Sequence, residues 1–216
     1  GAATTYIDNV FICMCSPLLI VMLCAERRQR GYFLFIILGM WVCLLSAYLN
    51  TFFAQMYHAD LTSATVEVAP VVEEIMKMLP LLFYLLVFEP SERDARNAVI
   101  LIAAGFATFE NVCYLVENGA SQLTYLLIRG FGTGAMHIVC GAFVGYGLLF
   151  VWKNRWLKTG GTVGLLCLAI TYHAIYNLLL SAGGWMQTAA YVIPVATALL
   201  VQAGRWRLEH LRLTEK

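Results

Sequence analysis

Charge is scarce in this sequence. Only 12% of its 216 residues are Asp, Glu, Lys or Arg, while 61% are hydrophobic. A soluble domain carries roughly 25% charged residues. So apolar a chain cannot cover its surface with polar groups, and its solvent is expected to be lipid. The net charge of +1 gives no reason to expect a nucleic-acid partner. There is no CxxC: the seven cysteines, at 13, 15, 24, 43, 113, 140 and 167, all fall in apolar runs and read as small hydrophobes. Repeats and low-complexity segments are absent. No basic region precedes the first apolar run, so no signal peptide is expected. The chain begins at Gly1 rather than Met, so its natural start is expected to have been trimmed or replaced.

What is present is a series of long apolar runs. A bilayer core about 30 Å thick needs about 20 residues of helix. Seven runs qualify, at approximately 8–25, 32–54, 64–88, 97–117, 131–152, 160–181 and 187–204. The predicted fold is therefore all-α: one integral-membrane domain over residues 1–216, a polytopic bundle of about seven transmembrane helices. Basic residues follow every second run. Arg27, Arg28 and Arg30 follow the first, Arg93 and Arg96 the third, Lys153, Arg155 and Lys158 the fifth, and Arg205, Arg207, Arg212 and Lys216 the seventh. The connections after the second and sixth runs hold no Lys or Arg, and the one after the fourth offers only Arg129, at the edge of run five. By the positive-inside rule the N-terminus is predicted outside and the C-terminus in the cytoplasm. The tail RWRLEHLRLTEK reads equally as an interfacial amphipathic helix or as a solvated tail.

A few polar residues interrupt the runs. Glu73 and Glu74 lie about eight or nine residues from the outer end of run three, Glu110 about seven from that of run four, His137 about six from that of run five, and His173 about eight from that of run six. At 1.5 Å rise per residue, all five sit roughly 10–13 Å below the outer ends. Four helices of alternating direction thus bring carboxylates and imidazoles to one level. Glu73 and Lys77 are four residues apart and share a face, as do His173 and Asn177. His137, Gly141 and Gly145 form a stripe along which another helix can approach closely. Pro70 is expected to free backbone carbonyls and bend the helix just above the glutamates.

Each feature also has a plain structural reading. Taken alone, His137 is an interhelical hydrogen-bonder, the glycine stripe is packing, and Lys77 neutralises Glu73. Phe106, Tyr114, Met76 and Met78 read as packing, and Glu67 as solvated near the interface. The adjacent glutamates resist such a reading. Each ionised carboxylate at depth costs at least about 2.5–3.5 kcal/mol on insertion scales, and two side by side point to function.

Three spacings carry a family pattern. Glu73-Glu74-Ile75-Met76-Lys77 reads EExxK, Phe106 to Tyr114 reads FxxxENxxY, and His173 to Asn177 reads HxxxN. In this order, with His137 between them, they resemble the PrsW family of intramembrane proteases over about residues 67–180. That family is similar to the CAAX prenyl proteases and bacteriocin-processing enzymes, the glutamic-type intramembrane endopeptidases. The CAAX-type enzymes carry FxxxH where this chain has FxxxE at Glu110. The resemblance implies peptide-bond hydrolysis in a membrane-associated protein, such as first-site cleavage of an anti-sigma factor or similar regulator, in a bacterial-type cytoplasmic membrane. It implies Glu73 as general base supported by Glu74, His173 and Asn177 as stabilisers of the oxyanion, and Glu110 and His137 as groups that position water or carry protons. Lys77 supports them, and no cofactor is expected.

Two rival classes remain open. Three glutamates and two histidines at one depth also suit a Zn²⁺, Mn or Fe site, although the chain has no HExxH and places Lys77 beside it. Buried Glu and His also serve proton-coupled transport, or a non-catalytic scaffold that presents substrates. A transporter often shows inverted repeats, and none is evident here.

The charge pattern generates the first prediction. Cysteines placed at Gln29 and Asn154, in a background without the native cysteines, will resist membrane-impermeant thiol reagents in intact cells. Ready labelling at both positions overturns the orientation.

Overall fold

The computed structural model describes residues 2–119 and 123–214, with side chains described over 7–27, 29–119 and 123–204. The elements in chain order are α1 (Ala2–Cys24), α2 (Arg27–Met56), α3 (Leu61–Ser63), one π-helical turn (Ala64–Val68), α4 (Ala69–Phe88), α5 (Glu92–Asn118), α6 (Leu123–Val151), α7 (Lys158–Ala182) and α8 (Gly184–Thr214). No strand occurs among the described residues. The side chains of the basic tail at 205–216 lie outside the described residues.

Six of these helices are long and apolar enough to cross a membrane: the segments Ile7–Cys24, Gln29–Met56, Glu92–Asn118, Leu123–Val151, Lys158–Ala182 and Gly184–Gly204. The seventh expected span is α4. Composition sets it apart, because Glu73, Glu74 and Lys77 all fall within its 20 residues. All three side chains are buried, so α4 turns its charges into the bundle and its Leu79, Phe83 and Leu86 outward. Spanning segments leave no water to satisfy a polar side chain, and such groups must find partners within the protein.

Local sequence explains the breaks. Arg30 Nε donates to the Ala25 carbonyl at 2.9 Å, closing the end of α1. Asp60 caps α3: its Oδ1 accepts the Ser63 N–H at 2.7 Å, and these bonds hold its carboxyl below the usual carboxylate range. Glu89 ends α4 in the left-handed region at φ 43°, and Pro90 follows it. Between α7 and α8 the chain reverses at Gly183 and Gly184, with φ of 70° and 57°.

Helix α5 is the centre of the bundle, with Ala98, Val99, Ile102, Ala103, Phe106 and Phe109 buried. One cluster packs Phe106 and Phe109 with Met40, Val42 and Leu44 of α2 and Cys15 of α1. Another packs Val99 with Met78 and Leu81 of α4, Met136 and Leu148 of α6 and Tyr176 of α7. Where α2 crosses α5 the contact is backbone on backbone. A Cβ on Gly39 would overlap the Ile102 carbonyl, and one on Gly105 would overlap the Ile36 carbonyl. The predicted stripe on α6 does the same work against α5: Gly141 faces Ala103, and Gly145 faces the Val99 side chain.

Both glycines at the α2–α5 crossing meet rigid backbone, so even one methyl group forces the helices apart. Gly39→Ala and Gly105→Ala will each lower stability by at least about 1–3 kcal/mol, the usual cost of overpacking. Gly164→Ala, with nothing within 4 Å of the new methyl, will be neutral or stabilising. Melting of the purified variants in detergent checks this, and equal Tm values for all three contradict it.

Candidate active site

Five helices, α2 and α4 to α7, bring polar side chains together around Glu73 and Glu74. Lys77 Nζ lies 2.6 Å from Glu74 Oε1 and 3.0 Å from His137 Nδ1. His173 Nδ1 lies 2.8 Å from the same Glu74 oxygen. His137 Nε2 lies 2.6 Å from Glu110 Oε2. His173 Nε2 stands 3.9 Å from Glu73 Oε2. The rings of His137 and His173 meet edge to face at 5.1 Å. The residues expected at one depth thus do converge: Glu73, Glu74, Lys77, His137 and His173 are buried together, and Glu110 is partly exposed at their edge. The lysine pairs with Glu74, three residues away, and not with Glu73, four away as the spacing suggested. Both lie on the same face, and the side-chain rotamer makes the choice.

These contacts fix the imidazole tautomers. An ammonium has no acceptor capacity, so Lys77 must donate to His137 Nδ1. His137 Nε2 then carries the ring proton and donates it to Glu110. In His173 the carboxylate of Glu74 accepts from Nδ1–H, so in the neutral ring the Nε2 lone pair faces Glu73. Phe106, expected to be packing, lies against both partners: its ring centre is 4.9 Å from the His137 centre and 4.9 Å from Lys77 Nζ.

Glu73 is held from α2, which no motif indicated. Asn50 Nδ2 donates to Glu73 Oε1 at 3.0 Å. The other oxygen, Oε2, is buried and has no hydrogen-bond partner. A lone Asn near the end of an apolar run was the available sign. Asn177 is also placed otherwise than one turn from His173 suggests. Its Nδ2 donates to the Thr65 carbonyl at 2.9 Å. The π turn accounts for this. Ala69 N–H donates to Ala64 O, five residues back. In that register Thr65 O would accept from residue 70, which is proline and has no N–H. Pro70 does free a carbonyl, as expected, and Asn177 satisfies it.

A cavity of about 1180 Å³ opens from this cluster towards one end of the bundle. Glu73, Glu110, His173 and Asn177 border it, with Asn50, Thr65, Tyr114 and Arg129. Glu74, Lys77 and His137 stand behind that wall.

Residues 28–202 match the family described as PrsW family intramembrane metalloprotease. The chain belongs to the PrsW family. It is a multi-pass membrane protease, and the expected resemblance holds over most of its length. No solved structure matches it.

The PrsW family description names a metal, and the donor set can be tested against one. Ligand atoms of Glu73, His137 and His173 lie within 4.8 Å of one another. Two of them suit a cation: Glu73 Oε2 has no partner, and His173 Nε2 presents a lone pair with Glu74 behind the ring, the arrangement that orients metal-binding histidines. The third does not. His137 spends its lone pair on the Lys77 ammonium and its proton on Glu110. A positive charge 3.0 Å from that ring further disfavours a dication. Two free ligands fall short of the three that catalytic zinc sites use. As arranged, the cluster does not fit a metal.

The buried pair generates a stability prediction. Lys77→Met leaves the Glu74 charge uncompensated and will cost about 3–5 kcal/mol. Adding Glu74→Leu will recover part of that loss, because an apolar pair of similar volume avoids the desolvation penalty. Melting temperatures of the two single variants and the double variant provide the cycle, and strictly additive losses refute the coupling.

Proposed function

We propose that this chain hydrolyses a peptide bond in a membrane-associated protein, with Glu73 as the general base. The observation that carries the reading is the unpartnered Glu73 Oε2, 3.9 Å from His173 Nε2 on the cavity wall. A water between two acceptors at that spacing can donate a proton to each, so its oxygen lone pairs face the cavity. Asn50 holds the other Glu73 oxygen and fixes the carboxylate's orientation.

As the water oxygen bonds to the carbonyl carbon, its proton passes to Glu73 Oε2. The carbonyl becomes an oxyanion. The Asn177 amide, on leaving Thr65, and His173, protonated at Nε2 by a solvent proton taken up from the cavity and released again after turnover, are the donors near it. The C–N bond then breaks, and the proton held by Glu73 goes to the leaving nitrogen. Glu74 and Lys77 act through His173 and His137 as positioning residues. Glu110, bonded to His137 on the cavity wall, is placed to relay protons.

The substrate class we infer is a single-span regulator of the anti-sigma-factor type. The membrane is the cytoplasmic membrane of a bacterial-type cell, with the N-terminus outside. In that orientation the cavity opens on the extracytoplasmic side, where such substrates expose their flanking segments.

A zinc-dependent route is the competing reading, favoured by the family description and by the closeness of Glu73, His137 and His173. Chelation separates the two. Under the glutamate reading, exhaustive chelation leaves cleavage by the purified protein intact. Loss on chelation, restored by Zn²⁺, refutes it. Glu73→Gln will retain the fold and lose nearly all proteolysis, since an amide cannot accept the water's proton. His173→Ala will slow turnover by on the order of 10²–10³, as expected for one oxyanion donor. Near-normal turnover of Glu73→Gln would remove the general-base assignment.

A further inference from the structure

Two residues of the FxxxENxxY motif are not accounted for by the chemistry above. Glu110 holds His137, but Asn111 and Tyr114 touch neither glutamate of α4. Both instead hold Arg129 of α6. Arg129 Nη1 donates to Asn111 Oδ1 at 2.6 Å. Asn111 is itself fixed, since its Nδ2 donates to the Gly130 carbonyl at 3.4 Å. The guanidinium carbon sits 3.7 Å from the centre of the Tyr114 ring. The Tyr114 hydroxyl in turn lies 3.0 Å from that of Tyr125. An amide and an aromatic face thus set both the position and the plane of the guanidinium.

So much support for one cation calls for a reason, and a contact ion pair does not supply it: its charge acts on Glu110 of the same wall only at longer range. Among the described residues Arg129 forms no ion pair: the carboxylates in contact with a base are Glu74, Glu92, Glu110 and Glu73, and their partners are Lys77, Arg96, Lys153, His137 and His173. A guanidinium carries five N–H donors in a planar fork. Asn111 is the one acceptor its donors meet among the described residues. Arg129 is also the one Lys or Arg among the described residues that border the cavity holding Glu73 and His173. A planar fork held in place suits bidentate recognition of a carboxylate.

We propose that Arg129 is a specificity-determining residue that binds a carboxylate of the substrate peptide, with Asn111 and Tyr114 holding its guanidinium. The inference rests on the protease reading above and deepens it. Helix geometry sets the reach. Arg129 precedes His137 by eight residues on α6, about 12 Å along the axis. The guanidinium reaches back to Asn111, beside Glu110, so that offset is an upper bound; an extended peptide covers about 3.3 Å per residue, and the carboxylate lies within roughly three to four residues of the scissile bond. An acidic side chain or a chain terminus can supply it.

The probes are synthetic single-span peptides in which one aspartate is moved along the segment flanking the apolar span. Each has an asparagine counterpart, and each is made with a free and with an amidated C-terminus. Binding is measured on the Glu73→Gln protein in nanodiscs of phosphatidylcholine, with and without phosphatidylglycerol, and cleavage on the active protein. Aspartate at one position, or a free terminus, will tighten binding by roughly 10–100-fold over its neutral counterpart. Arg129→Gln will erase that difference and leave the neutral peptide unchanged. Arg129→Lys will keep only part of it, because a point charge lacks the fork, and it stands as the test if Arg129→Gln does not fold. In cleavage the effect will appear in KM and spare kcat. Amidation identifies the source: a preference that survives it belongs to the side chain, and one that vanishes belongs to the terminus.

Equal losses for aspartate and asparagine peptides overturn the proposal, because they show a structural role. An Arg129 effect seen only with phosphatidylglycerol overturns it too, because the site then contacts lipid phosphate. If no peptide is cleaved while Arg129-dependent discrimination persists in binding, the protease reading falls and the carboxylate site stands. Cleavage without discrimination has the opposite meaning.

Discussion

A buried ammonium and a buried carboxylate 2.6 Å apart, Lys77 and Glu74, set the terms for the interior of this bundle. Neither can leave the low-dielectric interior, and neither tolerates the loss of the other. Each also orients one imidazole. The ammonium dictates that His137 accepts at Nδ1, and the carboxylate dictates that His173 donates from Nδ1. Two proton positions follow from one ion pair. The ring of His173 that faces Glu73 is therefore oriented by Glu74, which does not line the cavity, while Glu73 itself is held by Asn50 on the cavity wall.

The two adjacent glutamates thereby separate into different environments. Glu74 is surrounded by donors on the closed side of α4. Glu73 borders the cavity with one donor, Asn50, on one oxygen and no hydrogen-bond partner on the other, which is buried. Consecutive residues on a helix point about 100° apart, and that angle suffices to put one carboxylate in the scaffold and the other at the cavity wall. The division gives a physical sense to the EE pair, in which one residue supports and one remains available.

Much of this was legible in the sequence. The apolar runs located the helices, because a bilayer demands a minimum length. The common depth of Glu73, Glu74, Glu110, His137 and His173 indicated a shared site, because helix rise converts sequence offset into height. Azimuth was harder to read. Whether Lys77 meets Glu73 or Glu74 depends on a rotamer, and i+3 and i+4 are both available to it. The π turn was invisible, since one extra residue in a helical turn leaves no mark on an apolar pattern, and the placement of Asn177 follows from it. Asn50 and Arg129 escaped because a polar residue near the end of an apolar run reads as interfacial. Each acquires its meaning only when another helix brings a partner to it.

The concentration of charge on α4 also bears on how the chain is built. A helix carrying Glu73, Glu74 and Lys77 enters lipid at a cost of at least about 2.5–3.5 kcal/mol per charge on insertion scales. Its own Lys77 offsets only part of that. Asn50 of α2 is already in place, but the remaining partners, His137 and His173, belong to α6 and α7, which are synthesised later. As α4 emerges it therefore has no complete set of partners, and it is expected to wait at the interface or within the insertion machinery until the helices that follow have crossed. The last part of the bundle to settle would then be the part that carries its chemistry, so that incompletely assembled chains would not yet possess a formed site.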